Sequence, residues 1–496
     1  MAYPQALLDE FRREPGSVAF EHGARRVTRG EILELVGRFT AGLRAAGLSQ
    51  GDGVGIATAV TPEGYAAQLA AQVLGCRVVG VRPGLPVSQL RHVVGDVEAL
   101  VVDVAAESPE LLATVAGARI LRIGPELLAG HEDPVPAGRP DDIATVVFTS
   151  GSTGVPKGAA FTYRALTENG VWQPPEPGSR LAELRAGYGR FLLFGTLTSA
   201  VMLEHLTLCL LSGGTAVIPE GLPDFPWVLP RLRVTASLMT VPRLYQVLEV
   251  LRTERVDLSG LRSLLVAGSP VTPHKLAEAF DRIGPAVHQA YGQTESGMLT
   301  LLSSADVAAR ADALGSVGKP CGTVEIEVRD ESGQGVAPGV IGEIWVRTSA
   351  VLAGYWRDDA ETAEVLRDGW VRTRDLGMRD AEGFVHLTGR TRDVVIVNAI
   401  VHYTGPMERA IAAHPDVDQA YVVAAPDERT GEAAHAFVVP VPGRTPDPVS
   451  LRKAVAAELG EAAVPATFTF VDAVPVGPSG KPDKVALLQS IVDVSR

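Results

Sequence analysis

Residues Thr149 to Gly158 read TSGSTGVPKG, with three glycines, four hydroxyl side chains and one lysine directly after the apolar run Ile143–Phe148. Glycine lets backbone N–H groups turn toward one point, hydroxyls add donors, and a lysine supplies a compact positive charge, so this loop is built to hold phosphate. It is not a Walker A loop, because Lys157 is followed by Gly158 where that motif places the hydroxyl that binds magnesium. A flexible surface loop would have a similar composition but would not follow so closely on a strand.

A second cluster begins with YGQTES at Tyr291, after an apolar strand ending near Ala290. An aromatic face, a hydroxyl and a carboxylate at a strand end suit a nucleotide: stacking on Tyr291, a phosphate donor in Thr294, magnesium on Glu295. Upstream, Gly268-Ser269-Pro270 lets a base or acyl group approach the backbone. Downstream, Asp375 offers a carboxylate for two ribose hydroxyls, followed by Arg390 and Asp393, and near the C-terminus comes Gly477-Pro478-Ser479-Gly480-Lys481.

The elements that position these residues are legible in outline. Apolar runs such as Val54–Ala59, Val78–Val81 and Leu100–Val104 alternate with helix-patterned stretches beginning at Arg29–Gly47, and the rhythm returns at Thr215–Pro219, Ala236–Met239, Ser263–Ala267 and Val287–Ala290. Strands alternating with helices predict doubly wound, largely parallel sheets with active loops at the strands' carboxyl ends. From about Gly315 short alternating segments (Val324–Arg329, Gly342–Arg347) predict an antiparallel β-rich subdomain over about 315–388. The tail from Asp393 predicts a small α+β domain, with a helix at Gly405–His414, strands at Ala420–Ala425 and Ala436–Pro440, a final helix at Pro448–Leu459 and a last strand at Thr467–Val471.

With 496 residues and 46% apolar content the chain needs at least two domains and can bury their cores. A net charge of −13 without long basic runs argues against nucleic acid or an anionic membrane as a general partner. Three separated cysteines, Cys76, Cys209 and Cys321, read as packing residues in a reducing compartment. No secretory signal is visible, and Glu204 and His205 interrupt the longest apolar stretch short of the ~20 residues a membrane span requires, so a soluble cytoplasmic protein is expected. His288, His402, His414 and His435 lack metal-ligand spacing. A monomer and a homodimer stay equally open.

Taken together, TSGSTGVPKG, YGQTE, Asp375, Arg390 and Lys481, in this order and spacing, resemble the acyl-adenylate-forming superfamily of acyl- and aryl-CoA ligases, carrier-protein adenylation domains and luciferases. The resemblance runs from Thr149 to Lys481. It implies an α/β fold, with a large N-terminal domain (residues 1–392) that binds ATP and the acid, and a small mobile C-terminal domain (393–496) beyond a hinge at Asp393. It implies ATP with Mg2+, and CoA as co-substrate: a small carboxylic acid is converted to acyl-AMP with release of pyrophosphate, then passed to a thiol. By this resemblance Thr149, Ser150, Gly151, Ser152, Thr153, Gly154 and Lys157 hold the phosphates. Gly268, Ser269, Pro270, Tyr291 and Gly292 border the adenine, Asp375 and Arg390 hold the ribose, Thr294 meets the α-phosphate, and Glu295 binds the metal. Lys481 is the catalytic cation, offsetting negative charge that builds up in the transition state.

Three departures from the family pattern bear on specificity. Asn398 and Ala399 stand where relatives place glycine in the loop lining the thiol's entry path, with Pro406 nearby in place of an acidic residue; Arg374 replaces the glycine usual before the ribose-binding aspartate. In the acyl region, with Gly195, Thr196, Thr198, Ala267 and Met298 as the expected lining, small residues stand where relatives carry a histidine or aromatic. That opens the pocket to a bulky acid, unless the register is displaced by one or two positions. The leading expectation is an acid–CoA ligase. Its alternatives are transfer to a carrier protein's phosphopantetheine or another acceptor, and a nucleotide-binding protein without turnover, which would have little use for Lys481.

Overall fold

The protein is described by a computed structural model covering residues 2–115, 117–149, 156–397, 400–427, 429–477 and 480–494. Ser150, Gly151, Ser152, Thr153 and Gly154 of the expected phosphate loop, and Asn398 and Ala399 of the expected thiol path, lie outside the described residues.

Four sheets are present among the described residues. The first runs Lys319–Pro320, Gly297–Ser303, Val287–Gln293, Ser263–Ala267, Ala236–Thr240, Arg190–Leu192, Thr215–Ile218, Val18–His22, Arg25–Thr28, and its inner strands are parallel. The second is ordered Gly354–Tyr355, Lys157–Thr162, Ile143–Thr149, Arg77–Gly80, Gly53–Ala57, Ala99–Val102, Arg119–Arg122. Their parallel strands are almost continuously apolar, as expected of sheets covered on both faces. Between them the stretch Leu192–Pro219 resolves into a strand end, the helix Ala200–Leu211 and the strand Thr215–Ile218. That helix is apolar nearly all round, and Leu206, Leu208 and Leu210 are fully buried.

Helix starts follow local chemistry. Thr28 and Glu31 form a reciprocal capping box at the head of Arg29–Ala45, and Thr61 caps Pro62–Val73 with proline in its first turn.

The β-rich region is an antiparallel sheet of Glu325–Arg329, Gly342–Arg347, Trp370–Arg379 and Leu366–Arg367, with Val385–Arg390 also paired to Trp370–Arg379. This last pairing sets Asp375 directly opposite Arg390.

The C-terminal sheet contains Ile400–Tyr403, Val394–Val397, Gly431–Pro440 and Val417–Asp427, with Thr467–Phe470 parallel to Gly431–Pro440. Helices Thr404–Ala412 and Pro448–Leu459 match expectation, but Pro448–Leu459 is not the final helix: Lys484–Val494 follows it. A buried ion pair, Lys275 with Asp418, ties this region to the helix Pro273–Ile283 of the large sheet. No helix among the described residues is long and apolar enough to cross a membrane.

Candidate active site

The strand expected to end near Ala290 continues to Gln293 and turns through Thr294–Ser296 into Gly297–Ser303. Thr294 and Glu295 therefore sit on a hairpin turn, and Gly292 is obligatory there: a Cβ on it would lie 2.3 Å from the Gly297 carbonyl oxygen. Tyr291 lies inside the ladder and is buried, its ring packed in one cluster with Phe161, Leu299 and Val317. Its hydroxyl donates to Asp375 Oδ2 at 2.7 Å, and Arg390 Nε donates to Oδ1 at 2.9 Å. Burial and the neighbouring Asp375 charge push the Tyr291 phenol well above its usual value, so it remains a donor. The sequence reading assigned Tyr291 a stacking face; the structure adds that its hydroxyl holds Asp375 in place.

Lys157 begins the strand Lys157–Thr162, paired across the ladder with Thr149. Its Nζ lies 2.7 Å from Glu361 Oε1, and Arg374 reaches the same oxygen at 2.6 Å. Burial works to raise the Glu361 pKa, but the hydrogen bonds and charges of Arg374 and Lys157 outweigh it and hold the group down to about 2. Arg374 adopts φ 62, the left-handed conformation that favours glycine, which gives the departure noted in the sequence a backbone signature. Glu295 Oε1 accepts a hydrogen bond from Tyr355 at 2.7 Å. Glu361 and Tyr355 had no assigned role in the sequence; only their side-chain geometry shows how they connect to Lys157 and Glu295.

Lys481 arrives from the C-terminal tail. Gly477 N–H donates to the Lys481 carbonyl at 2.8 Å, closing a turn that brings Lys481 over the ends of the strands Ala236–Thr240 and Ser263–Ala267. A Cβ on Gly268 would sit 3.5 Å from Lys481 Cε, and one on Gly480 would sit 3.0 Å from Thr240. Lys481 retains surface exposure, yet its ammonium is crowded by the cleft walls. Desolvation and the Arg390 charge lower its pKa against the opposing pull of Asp375 and Glu295. The four groups thus share one field.

Asp393 lies at the foot of the C-terminal sheet, where Lys484 Nζ approaches its carboxylate at 3.5 Å and Glu408 at 2.8 Å. Burial lowers the Lys484 pKa, but those two carboxylates raise it by more.

Among the expected acyl-pocket residues, the hydroxyls of Thr196 and Thr198 are hydrogen-bonded at 3.1 Å. Thr198 packs against Gly80, and Gly195, at φ +83, has open space beside it. Met298 lines a recess together with Asn169, Glu204, Ser296 and Cys321. Asn169 carried no signal in the sequence; Ser296 closed the YGQTES run without an assigned role, and Glu204 stood out only as a charge in an apolar run.

The chain matches the family model described as AMP-binding enzyme over residues 7–356, and the AMP-binding enzyme C-terminal domain over 406–481. It belongs to the AMP-binding enzymes. A feruloyl-CoA synthase from Amycolatopsis sp is 35% identical over 480 residues, covering 95% of each chain. The amide bond synthetase McbA from Marinactinospora thermotolerans superposes with TM-score 0.88 at 34% identity, covering 98% of both chains. ATP-bound MatB from Rhodopseudomonas palustris does so with TM-score 0.85 at 26% identity over 99% of each. As an AMP-binding enzyme, the chain matches the second family model over a range that includes Lys481, and the first over one that includes Lys157 and Glu295.

Proposed function

We propose that the protein activates a small carboxylic acid with ATP and transfers the acyl group to CoA, as an AMP-forming acid–thiol ligase. A carboxylate oxygen of the acid attacks the α-phosphorus of ATP, the bond to the β-phosphate oxygen breaks, and pyrophosphate leaves. The CoA sulfur, having lost its proton, then attacks the acyl carbon and AMP departs. The observation that carries this reading is the convergence of Lys481 with Asp375, Arg390 and Glu295 at the strand ends, together with full-length similarity to an aryl-CoA synthase.

In this reading Asp375, held by Tyr291 and Arg390, accepts the ribose hydroxyls; an ionised carboxylate has lone pairs for more than its two present donors. Lys157 turns from Glu361 to the β- and γ-phosphates, and Thr294 donates to the α-phosphate. Lys481 stabilises the pentacovalent phosphorus as charge accumulates. Glu295 fits a magnesium ion: its carboxylate accepts one hydrogen bond, from Tyr355, and has lone pairs left over, and magnesium is commonly held by one or two carboxylates with phosphate oxygens and water. When bound, the ion supplies charge neutralisation at the phosphates. Residues 1–392 would form the ATP- and acid-binding domain and 393–496 a domain that turns about Asp393, exchanging the Lys481 face for one open to the thiol.

A second reading, in which an amine replaces CoA as acceptor, draws support from the likeness to an amide bond synthetase over 98% of both chains. Pyrophosphate release from MgATP across a panel of aryl and fatty acids, with CoA or an amine present and products resolved by mass, tests both. Acyl-CoA establishes the ligase, and amide formed in preference to thioester establishes the second reading. Acyl-AMP that accumulates with both acceptors points to a carrier protein.

A further inference from the structure

The helix Ala200–Leu211 carries one carboxylate, Glu204, only 8% exposed. Its Oε1 accepts from Asn169 Nδ2 at 3.2 Å, and among the described residues it has no ion-pair partner. Burying an unpaired carboxyl in an apolar helix costs stability that leucine would not. Desolvation accordingly pushes its pKa up to about 7, against the Asn169 hydrogen bond.

The space it faces is the recess behind the Thr294–Glu295 turn, lined also by Ser296, Met298 and Cys321. Its free volume of about 20 Å³ admits a single water-sized group. Ser296, adjoining Glu295 in sequence, is 1% exposed and its Oγ has no hydrogen-bond partner among the described residues, which makes it a second polar atom able to meet a ligand. Gly297, at φ +67, keeps the approach clear: a Cβ there would stand 3.2 Å from Glu204 Oε1.

We propose that this recess is a subsite for a single nitrogen donor, a ring N–H or an ammonium, carried by the acid substrate, with Glu204 as the acceptor. A nitrogen donor favours the ionised carboxylate, which only accepts, over the protonated form that burial otherwise promotes; the recess admits one such group; and the neighbouring turn carries the residues proposed to meet the α-phosphate and the metal. The inference rests on the acid-activating reading above and narrows its substrate class to nitrogen-bearing, chiefly heteroaromatic, acids.

The test is pyrophosphate release with matched acid pairs that differ only at nitrogen: indole against benzofuran carboxylic acids, and aminobenzoic against methylbenzoic acids. In the wild type at least one pair should favour the nitrogen member about tenfold or more in kcat/KM, the worth of one charge-assisted hydrogen bond, and E204Q and E204L should compress that preference below about threefold. S296A should weaken it partially. E204Q is isosteric and E204L suits an apolar site, so a folding defect in one leaves the other to report. Turnover of both members of every pair without preference, or a preference unchanged in E204Q and E204L, overturns the proposal and leaves the recess to a structural water. Absence of pyrophosphate with every acid instead overturns the adenylation reading beneath it.

Discussion

Two lysines at this site are held in opposite ways. Lys157 is stored against Glu361, which Arg374 also engages, and Glu295 nearby is held by Tyr355. Lys481 has no side-chain hydrogen bond or ion pair among the described residues, and desolvation lowers its pKa. The paired corner is part of the framework that keeps the fold together. The unpaired cation contributes little to folding and is set in a field that only a reacting anion completes. Groups left unpaired at a stability cost mark where chemistry or recognition is expected.

The sharpest way to break this contrast is Lys481→Ala. Removing one preorganised charge from a developing anion costs on the order of 10²–10³ in rate, while the melting temperature should stay within about 1 °C because the ammonium has no hydrogen bond or ion pair among the described residues to lose. Pyrophosphate release and a thermal melt read the two halves. A wild-type rate, or a large fall in melting temperature, would place Lys481 with the framework instead.

Glu204 is the second unpaired group, and its signature is pH-dependent stability. Its folded pKa of about 7 lies above the unfolded value near 4.5, so the folded state binds the extra proton between them. Stability therefore falls as pH rises through that window, by roughly 2–4 kcal/mol once the carboxyl is ionised. Glu204→Gln should flatten this part of the profile and melt higher than wild type at pH 8, with little difference at pH 5. Parallel profiles for the two proteins would show that Glu204 is compensated in solution.

Asp375 belongs to the paired class, and Asp375→Ala should harm folding and function together. The buried Tyr291 hydroxyl loses its acceptor, at a cost of about 1–3 kcal/mol, and the KM for ATP should rise. Denaturant unfolding and ATP titration check this; a KM effect with unchanged stability would show that the hydroxyl finds another partner.

How much of this was legible in the sequence follows the same division. Parallel strands, the β-rich region and most of the tail read correctly because burial on both faces, alternation and turn residues are local signals. The helix Lys484–Val494 was missed, and the strand into Tyr291 was cut short at Ala290, because YGQT reads as turn chemistry while the ladder to Gly297–Ser303 is a pairing between strands. Lys157, Glu295, Asp375, Arg390 and Lys481 were visible as motif members. Glu361 and Asn169 were not, and Tyr355 and Ser296 had no role assigned, since each acquires its role only from a neighbour distant in sequence. The acyl-pocket residues, Thr198 and Met298 among them, were grouped only as neighbours of motifs, because no local pattern marks the lining of an acid pocket.

Arg374 offers the smallest and most discriminating test of the paired corner. Its φ of 62 costs a non-glycine residue on the order of 1 kcal/mol, which Arg374→Gly would relieve. The same substitution removes a partly buried ion pair to Glu361, so the two effects oppose and net stability should move by less than about 1 kcal/mol. Function should not balance in this way. With Arg374 present, Glu361 keeps a cation when Lys157 turns to phosphate; without it, that motion strips a largely buried carboxylate of its only strong partner. Lys157 is then held back, and the KM for ATP should rise several-fold, up to about tenfold, with kcat less affected. Arg374→Lys, which restores the charge, should recover part of the loss. A KM for ATP unchanged in the glycine variant would mean that Lys157 and Glu361 separate without help, and the paired corner would then be a matter of packing alone.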